Sequence, residues 1–140
     1  MKKLISISLT ATLFGILFFS SCAKEDSPSP NDPTGADPRT KFLGHWFVSE
    51  NSHDYGTATY YSDITDSTNA SYILLSGLYS YNVKSNATVN GNNFTIPSQS
   101  FPAGTISGNG VLSNSTQINL TYYVRTTTTH YDTVTATLTK

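Results

Sequence analysis

The side chains able to do chemistry are few: one thiol (Cys22), three histidines (His45, His53, His130), some scattered carboxylates and nine tyrosines. His53 and Asp54 are adjacent in a short polar stretch, where such a pair ordinarily builds a turn. His130 and Asp132 are two apart, which puts them on one side of a strand, within reach of each other. Nucleophilic catalysis needs a base beside the nucleophile and a third group to orient that base. No serine sits in a G-x-S-x-G elbow. A metal centre needs three or four converging ligands, and no diagnostic spacing occurs. The chain is therefore expected not to be an enzyme and to carry no cofactor or metal. Tyr79 and Tyr81, in SGLYSYN, together with Tyr55, Tyr60 and Tyr61, could form an exposed platform for a glycan or protein. The competing reading is half-buried tyrosines in a sheet wall, where β-propensity alone enriches them.

Cys22 is placed where the chain changes character. Met1-Lys2-Lys3 is basic, Leu4 to Phe19 is apolar, and the small residues Ser20 and Ser21 lead into the cysteine. This is the anatomy of a secretory signal peptide, and the apolar run is short for a membrane span of about 20 residues. A single thiol cannot form an intramolecular disulfide. Phe19-Ser20-Ser21-Cys22 resembles a bacterial lipobox, which implies cleavage between Ser21 and Cys22 and lipidation of Cys22. Several acyl chains, palmitate among them, at about 0.8 kcal/mol per buried methylene, give durable attachment where one chain is marginal. The following Lys24-Glu25-Asp26 is similar to the export signal of surface lipoproteins in the Bacteroidota. That resemblance implies an outer-membrane protein displayed at the cell surface.

Residues 23–40 hold four of the six prolines and no aromatic or branched aliphatic residue. Such a segment buries too little surface to offset its ordering entropy and is expected to be a disordered tether. At ~3.1 Å per residue it could hold a domain roughly 50 Å from the lipid. The expected organisation is a signal peptide over 1–21, lipidated Cys22 and tether over 22–40, and one domain over 41–140.

That domain carries four Lys/Arg and five Asp/Glu, so no basic stripe exists for a nucleic-acid backbone. Its polarity comes from 17 Thr, 13 Ser and 10 Asn. Threonine and aromatics suit pleated, half-buried surfaces, and Asn and Gly suit the turns between them. No window carries a helical stripe, whereas strand signals recur every 8 to 13 residues. They begin with 44–51, where Trp46 and Val48 share a face opposite His45, Phe47 and Ser49. Residues 56–64, SYILLSGL, YNVKSNATV and NNFTIPSQ follow, the last two joined around the hairpin signal Asn90-Gly91. Pro97 marks a strand end, edge or bulge. In the last three strands Ile106 and Leu112 flank Gly108 and Gly110. Ile118, Leu120, Tyr122 and Val124 share a face, as do Val134, Ala136 and Leu138 opposite a row of threonines. Apolar inside and threonine outside is the pattern of an antiparallel sheet with one wet side. The predicted fold is all-β, a small antiparallel up-and-down barrel of about eight strands. Such a barrel is either filled by its side chains or holds one small ligand. Trp46, Phe94, Ile118, Leu120 and Tyr122 are bulky enough to fill most of it.

Gly44-His45-Trp46 resembles the G-x-W signature of the lipocalin and calycin superfamily, in which the tryptophan closes one barrel end. FLGHWFV, VNGNNFTIP and TVTATL are similar to three motifs of short lipocalin-like domains on Bacteroidota lipoproteins. The resemblance covers 41–140 and implies a lipocalin-like barrel. The T-D-x-Y element and the last-strand arginine that covers the tryptophan are absent; Arg125, ending the preceding strand, is a candidate substitute for that arginine. Asp66-Ser67-Thr68 and Asp132-Thr133-Val134 are similar to a Bacteroidota O-glycosylation pattern, implying Ser67 and Thr133 as acceptors. The expected function is non-enzymatic binding of a small molecule, glycan or protein by a monomer held to the membrane through Cys22. An inhibitor of a protease or lysozyme-type enzyme, and a ligand-free structural coat, are the alternatives. An internal cavity favours the first, a rigid protruding loop the second, a packed barrel with a flat glycosylated surface the third.

Overall fold

The computed structural model describes residues 36–80, 82–126 and 129–140. Signal peptide, Cys22, Lys24-Glu25-Asp26 and Tyr81 lie outside them. The described chain forms eight strands in sequence order: β1 (Gly44–Ser52), β2 (Gly56–Asp66), β3 (Tyr72–Leu78), β4 (Val83–Asn90), β5 (Asn93–Phe101), β6 (Gly104–Asn114), β7 (Gln117–Arg125) and β8 (Asp132–Thr139). Each pairs antiparallel with its neighbour, and β8 returns to β1, closing the barrel. Closure leaves no strand edge to be covered. This is the eight-stranded up-and-down architecture that the alternation predicts.

The period-2 pattern decides what is inside. On β1 Trp46 and Val48 are buried while Phe47 and Ser49 are exposed, and β7 and β8 alternate in the same way. The core is continuous from Phe42 and Trp46 through Ile73, Leu75, Phe94 and Ile118 to Tyr122 and Val134. Two glycines on β6 make this possible. A Cβ on Gly110 would sit 2.1 Å from Cζ of Phe94, and one on Gly108 would sit 2.6 Å from Cβ of Tyr122. Gly110 cedes its space to the Phe94 ring, and Gly108 lets the β7 backbone at Thr121 and Tyr122 approach closely.

Pro97 interrupts a ladder, as predicted. The β4–β5 pairing covers three residue pairs, and β5 bulges against β6 between Ile96 and Gln99. Across the gap, the Gln99 side chain accepts from the Asn86 backbone N–H at 2.9 Å and donates to its carbonyl at 2.8 Å. A side-chain amide thus replaces the lost backbone pair.

One barrel end is plugged by the segment before β1. Phe42 is fully buried there and meets Phe94 edge-on at 5.6 Å between ring centroids. Arg39 donates to the carbonyls of Ser67, Asn69 and Tyr72 and to the Asp37 carboxylate. That carboxylate is held below the usual range, mainly by its hydrogen bond to Arg39. Asp37 to Thr40, expected in the tether, therefore belong to the folded body. A guanidinium fork that ties three carbonyls of one loop has reason to be ordered.

Candidate functional site

The plug end is built around Gly44 and Trp46. The indole Nε1–H donates to the Phe42 carbonyl at 2.8 Å, and the ring is capped by Lys140, whose Nζ lies 4.3 Å from its centroid and donates to the Leu43 carbonyl. Gly44 has φ +133°, and a side chain there would crowd Lys140. Lys140, not Arg125, covers the tryptophan. Arg125 ends β7 at the opposite barrel end, where it stacks on Tyr131. Trp46 itself is fully buried at this end of the barrel.

At the other end, the mouth, the inward face changes from apolar to polar. On β1 the buried series Trp46, Val48 continues into Glu50 and Ser52, and on β8 the series Leu138, Ala136, Val134 continues into Asp132. The Glu50 carboxylate accepts from Tyr122 at 2.5 Å and from Tyr60 in a second, short hydrogen bond. Asp132 accepts from Ser52 at 2.6 Å, from Tyr79 at 2.7 Å and from the Asp54 backbone N–H at 3.2 Å. Neither carboxylate forms an ion pair with a described residue. Buried carboxylates need hydrogen bonds to persist, and tyrosines supply them here. Those hydroxyls are in turn held protonated. Burial is the main cause for Tyr60, Tyr79 and Tyr122, and the neighbouring carboxylate adds to it.

Tyr79 reaches this cluster from the β3–β4 turn. Gly77, Tyr79, Ser80 and Asn82 all have positive φ there. A left-handed conformation costs an L-residue ~1–2 kcal/mol. The Tyr79 hydroxyl bond to Asp132, its backbone N–H bond to the Tyr60 hydroxyl at 3.0 Å and its edge-on contact with Tyr122 offset that cost. So Tyr79, one candidate for an exposed platform, is only 6% exposed and follows the competing, buried reading. Tyr60 is half-buried by its bond to Glu50, whereas Tyr55 and Tyr61 are exposed.

The histidine pairings also differ from expectation. Asp132 faces inward, so His130 pairs instead with Asp54, at 2.7 Å, and Asp54 also holds His53 at 3.0 Å. Hydrogen bonding to its histidine neighbours lowers the Asp54 pKa, and Asp54 raises that of His53. The β1–β2 turn is thereby tied to the β7–β8 loop. No three His, Cys, Asp or Glu among the described residues converge as a metal site. Thr133 is exposed on the outer face of β8 and Ser67 is half-exposed after β2.

The barrel interior holds side chains: Trp46, Phe94, Ile118, Leu120 and Tyr122 are each at most 2% exposed. Space for a ligand lies outside. A depression of about 600 Å³ runs across the outer wall over β1, β8, β7 and β6, with Thr57 at its edge. Its floor consists of two rows set by strand register, Ser49–Thr137–Asn119–Val111 and Asn51–Thr135–Thr121–Asn109. Glu50, Leu120 and Ala136 underlie it, but they are buried and face the core. The wall surface therefore carries hydroxyls, amides and the exposed Val111 side chain, and no charge. Sequence reasoning found the threonine face but missed the carboxylates and the depression. Glu50 and Asp132 had a signal, because each lies on the period of the core residues beside it.

The chain matches no known family model and no curated protein. It is similar in fold to solved structures. A redesigned β-barrel shares 16% identity at a TM-score of 0.55, over 75% of this chain and 96% of that one. EF1p2_mFAP2b bound to DFHBI shares 17% identity at a TM-score of 0.56, over 75% of this chain and 99% of that one. At such identities the likeness is one of fold.

Proposed function

We propose that this protein is a lipid-anchored module of the cell surface that binds a partner without catalysis, and does so on the outer wall of its barrel. The observation that carries the reading is the exchange of space between inside and outside. The interior is occupied by five bulky, buried side chains, while about 600 Å³ lies open over an uncharged wall. That volume falls in the usual range for small-ligand sites. The position of the segment before β1 agrees with it. Ala36 leads into the plug end, so a tether from Cys22 would hold that end toward the membrane and leave the mouth and walls facing outward. The two buried carboxylates at the mouth are committed to tyrosine and serine hydroxyls, and Asp54 is paired with His53 and His130.

The lipid and the display rest on the resemblance of Phe19 to Cys22 and of Lys24-Glu25-Asp26 to their motifs. Protease added to intact cells is expected to remove the barrel domain from the native protein. Replacing Lys24, Glu25 and Asp26 together with alanine should protect it. Equal resistance in both strains would overturn surface display.

One observation favours the inhibitor reading in second place. The β1–β2 turn presents Tyr55 at 75% exposure, and the turn is braced by Asp54 contacts to His53 and His130. A braced turn with an exposed ring is a plausible wedge for an enzyme cleft.

A further inference from the structure

We infer that the outer-wall depression is a binding site for a neutral oligosaccharide; this deepens the wall-binding reading above and rests on it. Three features carry the inference. First, the floor matches sugar hydroxyls in kind. Asn51, Thr121, Thr135 and Thr137 offer amides and hydroxyls that both donate and accept, and their side chains make no hydrogen bond to any described residue. Such groups are unspent by the fold. A flat protein partner of mixed charge would find nothing here to pair with, and an anionic ligand would find no base.

Second, exposed aromatic rings bracket the floor at opposite ends. On β1, Phe47 precedes Ser49 on the outward face, with Tyr61 directly across on β2. The two rings meet edge-on at 5.5 Å, and His45 stacks on Tyr61 at 4.6 Å. On β7, Tyr123 follows Thr121 on the outward face and is 41% exposed. Residues two apart in a strand are about 7 Å apart, so each aromatic is the next outward side chain after a floor residue. A pyranose presents an apolar C–H face as well as hydroxyl edges. Aromatic rings, apolar in body and set beside polar groups, suit that amphipathic shape.

Third, the floor is preorganised. Its side chains project from four hydrogen-bonded strands of a closed barrel, so little ordering remains to be lost on binding. The rows also run across the strands with the regular spacing of a sheet, about 4.8 Å, which suits a repeating ligand.

The test uses a soluble form from residue 22 onward carrying Cys22→Ser, isotopically labelled for amide spectra. The probes are linear neutral hexasaccharides of glucose, mannose, galactose and xylose, with oligogalacturonate as the acidic comparison. At least one neutral probe is expected to shift the amides of Asn51, Thr121, Thr135 and Thr137, with a Kd of about 1 mM or tighter. Tyr123→Ala, and separately Asn51→Ala with Thr137→Ala, should each weaken that binding about tenfold or more. Tyr55→Ala, at the mouth, should leave it unchanged. These substitutions are on exposed or partly exposed side chains, and unaltered spectra away from the wall confirm the fold. No shift with any neutral probe, or stronger binding of the acidic one, would overturn the saccharide assignment alone. Shifts confined to the mouth around Tyr55 and Tyr79 would overturn the wall-binding reading as well.

Discussion

At the scale of single residues, the most consequential groups are the two buried carboxylates and their tyrosines. Removing the acceptor in Glu50→Ala strands the hydroxyls of Tyr60 and Tyr122 inside the barrel. The expected loss is about 1–3 kcal/mol for each hydroxyl left without a partner, measured by urea unfolding, with Glu50→Gln losing less because it keeps an acceptor oxygen. The tyrosines also set an alkaline limit. Tyr60, Tyr79 and Tyr122 keep their protons in the folded protein above the ordinary value of 10.0, whereas the unfolded chain releases them there. Their contribution is whole below that value and is lost as pH rises beyond it. The urea midpoint should therefore fall steeply above about pH 10, and Tyr79→Phe should make the fall shallower. A midpoint that is flat from neutral to strongly alkaline pH would contradict the buried cluster. None of this chemistry required a motif to be noticed. Glu50 stands two residues beyond Val48 and Asp132 two before Val134, so a strict period-2 reading already places both inside. Their partners were not legible. Tyr79 enters from a turn of left-handed residues, and no alternation rule says where such a turn aims its side chain.

At the scale of elements, the barrel is a set of hairpins whose faces are fixed by alternation and whose corners are fixed by a few small residues. Gly110 is the sharpest case. An alanine there would overlap the Phe94 ring, and the expected cost is about 1–3 kcal/mol in urea unfolding. Combining Gly110→Ala with Phe94→Leu should cost less than the sum of the two single changes, because the ring is what the methyl meets. Simple additivity would show that the two do not share that space. The strands themselves were readable: eight runs, their inward faces and the Pro97 irregularity all follow from period, turn residues and the missing amide donor. The repairs were not. Gln99 standing in for a backbone pair, and Lys140 capping Trp46 from the chain end, depend on which distant segments closure brings together. The same holds for Arg39, which reads as tether by composition and is locked into the fold by three carbonyls far along the chain.

At the scale of the whole molecule, closure turns a threonine-rich sheet inside out relative to a ligand-carrying barrel. Large side chains take the interior, Phe94 in the space left by Gly110, and the threonine rows take the outer wall. The central claim is that nothing but side chains occupies the barrel. Native mass spectrometry of the protein purified from its own cells tests it most directly. The account expects the bare polypeptide mass, or at most an adduct lost on simple dilution, as from an open wall. A discrete apolar adduct that survives dilution and leaves only on denaturation would place a ligand inside the barrel and contradict the account.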